Sequence, residues 1–182
     1  MLIWPPIPPV PFYSQFENIS LPFWRGKSCG VTDLAMLINY YEPGTTTPDT
    51  VLALALADKA YIDNIGWTYA GLIDVAKEYG LEGAAYDLGN LSTQEAFAKF
   101  KIALQSGPVI ASIHYKFDPK SIIPHLVVIT SVQGDTMYYN DPAADKGEKE
   151  ILVENFLKGW KKRYVVIRPP DMLAASTSLK LN

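Results

Sequence analysis

"HLVVITSVQGDTMYYND" (His125–Asp141) holds two runs rich in β-branched and aromatic residues on either side of Gln-Gly-Asp, the pattern of two strands joined by a tight hairpin turn. A hairpin about the turn at Gln133 to Asp135, in which residue i faces roughly residue 267 minus i, sets His125 opposite about position 142. An imidazole at the open end of the hairpin then lies within a residue or two of Asn140 and Asp141, allowing for a bulge.

Working outward, "PVIASIHY" before the hairpin and "RYVVIRP" after it read as further strands, with a short helix around Glu154 to Gly159 crossing between strands. Upstream of Gly107 the period is helical. Val31, Leu34, Ala35, Ile38 and Tyr41 fall on one face of a helix that starts at Cys29 and stops at Glu42-Pro43-Gly44. Thr47 with Pro48 opens a second helix running to about Lys59, and Thr68 opens a third that stops at Gly80. Ser92 with Glu95 forms a capping-box pattern for a fourth, closed by Gly107 and Pro108. The first hundred residues therefore read as mostly helical, with residues 13–28 as a loop. Helices segregated from antiparallel strands predict an α+β fold, a helical part packed on an antiparallel sheet. Residues 1–11 form an extended, proline-stiffened lead-in, 12–168 a single domain, and 169–182 a tail without period.

A chain of 182 residues, 48% hydrophobic and 19% charged, is long and apolar enough to bury one core without staples. A net charge of -3 offers no basic field for nucleic acid or an anionic membrane, and Lys161-Lys162-Arg163 reads as a solvated turn before a strand. The single cysteine cannot close an intramolecular disulfide, and with two histidines it falls short of a closed four-ligand zinc site, so neither metal nor cofactor is expected. The first residues lack the basic leader and apolar core of a signal peptide, and no apolar run approaches the ~18 residues of a membrane span. A soluble protein is expected.

Cys29 is that single cysteine, at the start of a helix, where free backbone N–H groups and the helix dipole favour a thiolate. Gly30 beside it leaves room for a substrate carbonyl to approach. A nucleophilic thiol needs an imidazole, and the candidates are His114 and His125. Only His125 gains an orienting partner from the hairpin, Asp141 or the amide of Asn140. The Cys29 N–H and the Gln15 side chain are candidate donors to an oxyanion. Each feature alone has an ordinary reading: a buried small thiol, a turn aspartate, an exposed glutamine. Phe12, Tyr13, Phe16, Phe23 and Trp24 either wall a cleft or pack the loop onto the core, while Trp67 and Tyr69 read as core.

Together "VPFYSQ", "SCGVTDLAMLINYY" and "HLVVITSVQGDTMYYNDPA" resemble the C39-type and C39-like branch of the papain-like cysteine peptidases, in that order along the chain. The resemblance implies a papain-like fold with a cleft between the helical part and the sheet. It makes Cys29 the nucleophile, His125 the base and acid, Asp141 the orienting group and Gln15 the oxyanion donor. It further implies hydrolysis of a peptide or isopeptide bond in a peptide or protein substrate through an acyl-thioester. The bacteriocin-processing members place this domain ahead of an ABC transporter, and this chain has neither membrane spans nor an ATP-binding loop, so that role does not transfer. Two alternatives stay open: a catalytically silent peptide-binding module on the same fold, and an acyltransferase or transglutaminase-like enzyme in which an amine replaces water. A redox switch ranks behind both, because the chain lacks a resolving cysteine.

Overall fold

In the computed structural model, which describes residues 8–173, a short helix α1 (Pro22–Arg25) interrupts the stretch expected as loop. It is followed by α2 (Cys29–Tyr41), α3 (Pro48–Ala57), a two-strand ladder of β1 (Tyr61–Ile62) and β2 (Gly66–Trp67), and α4 (Tyr69–Lys77). β3 (Glu82–Asp87) precedes α5 (Thr93–Gln105), and after it come β4 (Val109–His114), a 3-10 turn (Tyr115–Phe117), β5 (Pro124–Gln133), β6 (Thr136–Asn140) and β7 (Lys149–Leu152). α6 (Val153–Gly159) leads into β8 (Trp160–Arg168). The helix starts follow the sequence signals: Thr47 and Thr68 accept hydrogen bonds from Thr50 N and Gly71 N, and Ser92 with Glu95 forms the reciprocal capping box.

Strands β3-β8-β4-β5-β6-β7 lie in that order in one six-stranded sheet, with every neighbouring pair antiparallel. Because successive side chains of a strand point to opposite faces, β4 sends Ile110 one way and Ala111 the other. Ile110, Leu126, Val128, Val165 and Ile167 pack under α2, α3 and α4. On the far face Ala111, Val127 and Ile129 meet Phe100 of α5 and Phe156 of α6, with Trp160 and Tyr164. Helices thus cover both faces of the sheet, which is why its central strands read as unbroken apolar runs.

Besides α1 and the β1–β2 ladder, three features depart from the sequence reading. β3 sits within the stretch read as mostly helical; its Glu-Gly-Ala-Ala-Tyr-Asp has little β propensity and is a strand because it pairs with β8 from Glu82↔Arg168 to Asp87↔Arg163. β7 pairs with β6 and extends the sheet edge beyond the expected strands. The Lys161–Arg163 run is not a turn before the last strand but lies inside β8. Of the proline-rich lead-in, residues 1–7 are outside the described residues, and 8–11 have no regular element. Of the expected tail, residues 170–173 form a helical turn and 174–182 are outside the described residues. Among the described residues no helix is long and apolar enough to cross a membrane.

The hairpin register differs slightly from the expectation, with a physical cause. Its loop is the two residues Gly134 and Asp135, since Gln133 pairs with Thr136, and Gly134 takes the positive φ of 55° that this tight turn requires. A bulge between Ile129 and Ser131 then shifts the ladder, so that Val128 faces Asn140. Asp141 follows immediately, just past the end of β6.

Phe100 is fully buried in an aromatic cluster with Phe156, Trp160 and Tyr164, ring centroids 4.9 to 5.6 Å away. Phe100→Ala is expected to cost about 3–5 kcal/mol in urea denaturation; a loss under about 1 kcal/mol would contradict this packing.

Candidate active site

α2 begins at Cys29, so the first N–H groups of the helix have no intrahelical acceptor and point toward whatever occupies the space ahead of them. Ser28 stands at the N-cap with its hydroxyl donating to Trp24 O (2.7 Å) rather than capping the helix, while Thr32 N closes the first turn on Ser28 O (3.0 Å). Cys29 itself is half-exposed, whereas the residues after it, Gly30 to Asn39, are buried. The helix is pressed into the core with its sulfur-bearing end left open.

His125 and Asp141 approach from the hairpin. His125 Nε2 lies 2.7 Å from Asp141 Oδ1, with 5% and 13% of the two side chains exposed, which makes this a pair shielded from water. The same Oδ1 accepts from Ala143 N (2.8 Å), holding the carboxylate in the turn after β6. Nε2 is thereby occupied, leaving Nδ1 for the Cys29 side chain, which is near enough to act on the charge of the ring. Tyr115 stands edge-on to the imidazole, ring centroids 5.2 Å apart. Burial works against a charged imidazole, but Asp141 and Cys29 outweigh it, and the His125 pKa rises to about 10. Burial likewise opposes ionised Asp141, and His125 with the Ala143 N–H and Lys149 reverses this, holding its carboxyl below the usual carboxylate value. His125 therefore contributes stability present below its ordinary pKa and lost as pH rises through about 10. The Asp141 contribution is present above its ordinary pKa and lost as pH falls through its lowered one, so the pair is intact at neutral pH.

Gln15 lines the same cleft as Cys29 and His125. Its Nε2 donates to Arg25 O (2.8 Å), a contact only the nitrogen can make, so the orientation of the amide is set. One N–H remains for another acceptor. Its backbone N–H donates to Pro142 O (2.8 Å), tying the loop to the residue after Asp141. Asn140, the alternative orienting group, does other work: it accepts from Glu148 N (2.8 Å) and donates to Val10 O (3.3 Å), fastening the N-terminal segment to the sheet. His114 is also elsewhere, its Nδ1 2.9 Å from Ser121 O.

Cys29, His125 and Gln15 open on a cleft of about 630 Å³. Phe16 is among the flanking aromatics that line it, and so are Trp67 and Tyr69, which the sequence reading assigned to the core. Trp67 is buried yet presents an edge to the cleft, its Nε1 donating to Lys27 O (2.6 Å). Trp67 also revises the role expected of Gly30: a Cβ there would come within 3.0 Å of three Trp67 atoms, so the missing side chain makes room for the indole rather than for substrate.

The sequence reading missed Asp33, one helical turn beyond Cys29. It is fully buried, and neither carboxylate oxygen has a hydrogen-bond partner. Burial, then the Cys29 side chain, push its pKa well up; His125 pulls it down and Asp141 raises it further. The i, i+4 spacing from Cys29 was the available signal.

The profile of the Peptidase_C39 like family matches residues 7–166. No curated protein matches the chain. Among solved structures, a double glycine motif protease from an AMS/PCAT transporter, crystallised with its leader peptide, is 23% identical with a TM-score of 0.61, over 88% of this chain and 92% of that one. A protein from Bacillus anthracis described as a C39-like peptidase is 20% identical with a TM-score of 0.56, over 86% and 92%. The peptidase domain of Streptococcus ComA, a bi-functional ABC transporter involved in a quorum sensing pathway, is 17% identical with a TM-score of 0.55, over 79% and 93%. These likenesses establish a shared fold, with helices packed on an antiparallel sheet.

Two substitutions probe the site. Gly30→Ala is expected to lower stability even though alanine is the better helix former by about 1 kcal/mol, because the indole must move; a gain in denaturation midpoint would refute the contact. Asp33→Asn is expected to flatten the pH dependence of stability. An acid whose folded pKa is raised loses up to about 1.4 kcal/mol per pH unit above its unfolded value near 4, until the folded pKa is reached. Parent and variant should match near pH 4 and diverge toward pH 8 in urea titrations, the variant being the more stable. Parallel profiles would mean Asp33 carries no such penalty.

Proposed function

Since the chain belongs to the Peptidase_C39 like family, whose solved relatives are cysteine peptidase domains, we propose that it hydrolyses a peptide or isopeptide bond with Cys29 as nucleophile, His125 as base and acid, Asp141 as orienting group and Gln15 as oxyanion donor. The observation that carries this reading is the buried His125–Asp141 contact of 2.7 Å on a cleft shared with Cys29 and Gln15. An imidazole that keeps its proton up to about pH 10 supplies a cation beside the sulfur, the setting in which a thiolate is the working nucleophile.

The steps follow from the positions. The Cys29 sulfur attacks the scissile carbonyl carbon, and the carbonyl electron pair moves onto oxygen, which meets the Cys29 N–H and the free Gln15 N–H. His125 gives its Nδ1 proton to the leaving amine as the C–N bond breaks, leaving an acyl-thioester. Water then attacks the thioester while His125 takes its proton, the C–S bond breaks, and acid and thiolate are released. Asp141 holds the ring in one orientation and stays ionised throughout. Peptides are the substrate class, by analogy with the relative crystallised with a leader peptide.

The test is the rate of Cys29 alkylation against pH, read by intact mass, in the parent and in His125→Ala. Reaction already fast near pH 6 and slowed by His125→Ala is expected. A rate rising only near the free-thiol pKa of about 8.5, unaffected by the variant, would overturn the assignment. With a cleaved peptide in hand, Cys29→Ala should fold and lose all turnover, Asp141→Asn should slow it, and His114→Ala should leave it near the parent value. Peptide binding unchanged in Cys29→Ala with no turnover by the parent would establish a binding module instead. An amide adduct formed with added amine would establish acyl transfer.

A further inference from the structure

The wall of the cleft built by β8 carries charge that the proposed chemistry does not use. In register across the sheet, Leu126 of β5 pairs with Ser112 of β4, and Ser112 pairs with Arg163 of β8, so the three side chains stand on one face, and all three line the cleft. Immediately beyond, Ile113 pairs with Trp160 rather than with the next residue in step, leaving Lys161 and Lys162 as a bulge in β8. Lys162 takes a φ of 55° and turns away to donate from Nζ to Leu91 O (2.8 Å). Lys161 is turned the other way, into the cleft beside Arg163. Re-aiming a side chain next to a site is what a bulge accomplishes.

The lining of the cleft includes Lys27, Lys161 and Arg163 and, among the described residues, no carboxylate. Lys27 rests over the Phe23 ring (3.8 Å). Arg163 pairs on its exposed side with Asp87 (2.8 Å). Lys161 has no carboxylate in ion-pair range among the described residues; burial and its like-charged neighbour Arg163 both press its pKa down. This arrangement in a chain of net charge -3 is local rather than a by-product of a basic surface. Arg163 already has Asp87, so it is the Lys161 ammonium, partly desolvated beside a guanidinium, that an arriving anion would meet.

Resting on the peptidase reading above, we propose that Lys161 and Arg163 form an anion subsite that selects substrates with a carboxylate within about three residues of the scissile bond. The distance follows from the sheet: two strand spacings of ~4.8 Å separate Arg163 from the strand that bears His125, roughly three residues of extended peptide. The carboxylate is either an acidic side chain or a free C-terminus.

The test is protection of Cys29 from iodoacetamide, read by intact mass at neutral pH and low ionic strength. The protecting ligands are three acetylated pentapeptides: four alanines around a central glutamate with an amide end, five alanines with a free acid end, and five alanines with an amide end. One or both anionic peptides should slow labelling roughly threefold at a concentration twice their Kd, while the neutral peptide leaves the rate unchanged. Whichever anionic peptide protects identifies the source of the carboxylate. Protection should vanish in Lys161→Met, return in Lys161→Arg, persist in Lys99→Met on the far-face helix α5, and fade at high salt. Equal protection by the neutral peptide, none by either anionic one, or full protection surviving in folded Lys161→Met would each overturn the subsite. His125→Ala labelled as fast as the parent would instead count against the peptidase reading, and salt-dependent protection by the anionic peptides would still report the subsite.

Discussion

An imidazole and a carboxylate 2.7 Å apart, both nearly excluded from water, are favourable only as a pair. Removing either strips the other of its charged partner inside the protein, leaving Asp141 with only the Ala143 N–H, a loss of several kcal/mol. The pair forms only if the β5–β6 hairpin holds its register, because a one-residue slip would turn one of the two side chains to the wrong face. The two-residue turn at Gly134-Asp135 and the bulge between Ile129 and Ser131 are therefore part of the site's construction, although neither touches the cleft.

The two halves of the molecule are held across this pair by polar ties that begin in an irregular segment. Gln15 spans from Arg25 O, just before the cysteine helix, to Pro142 O, just after Asp141. Asn140 binds Val10 and Glu148. A segment with no helix or strand of its own is thus ordered by satisfying backbone groups that would otherwise be buried unpaired. Those contacts also bring the Gln15 amide to the cleft. Trp67 closes the same region from the other side, against the bare Cα of Gly30.

Electrostatically the cleft differs from the chain as a whole. Net charge is negative, but the lining gathers Lys27, Lys161 and Arg163 around Cys29 and His125. Beneath Cys29, Asp33 is buried without a hydrogen-bond partner and with its pKa pushed well up. Burial and the nearby Cys29 side chain thus make an anion at Asp33 harder to form than at an exposed carboxyl.

Much of this was legible in the residues. Capping signals at Thr47, Thr68 and Ser92, the apolar period from Val31 to Ile38, and the β-branched runs around Gly134 are local physics, and local physics determined the helices, the central strands and the meeting of His125 with Asp141. What was not legible depends on partners distant in the chain. β3 is a strand because β8 pairs with it; Lys161 faces the cleft because a bulge against β4 turns it there; Gly30 and Trp67 have their roles because a ladder after α3 carries the indole onto the cysteine helix. Hairpin pairing alone put both Asn140 and Asp141 within reach of His125, with only the family resemblance favouring Asp141, and the end of β6 separates them: Asn140 is the last ladder residue and ties the backbone, while Asp141 turns to the histidine. The sequence by itself determined which groups were available and which local elements carried them. Tertiary structure alone decided their directions, because a side chain's direction follows from pairing register and from what packs against it, and both are set by residues far away in the chain.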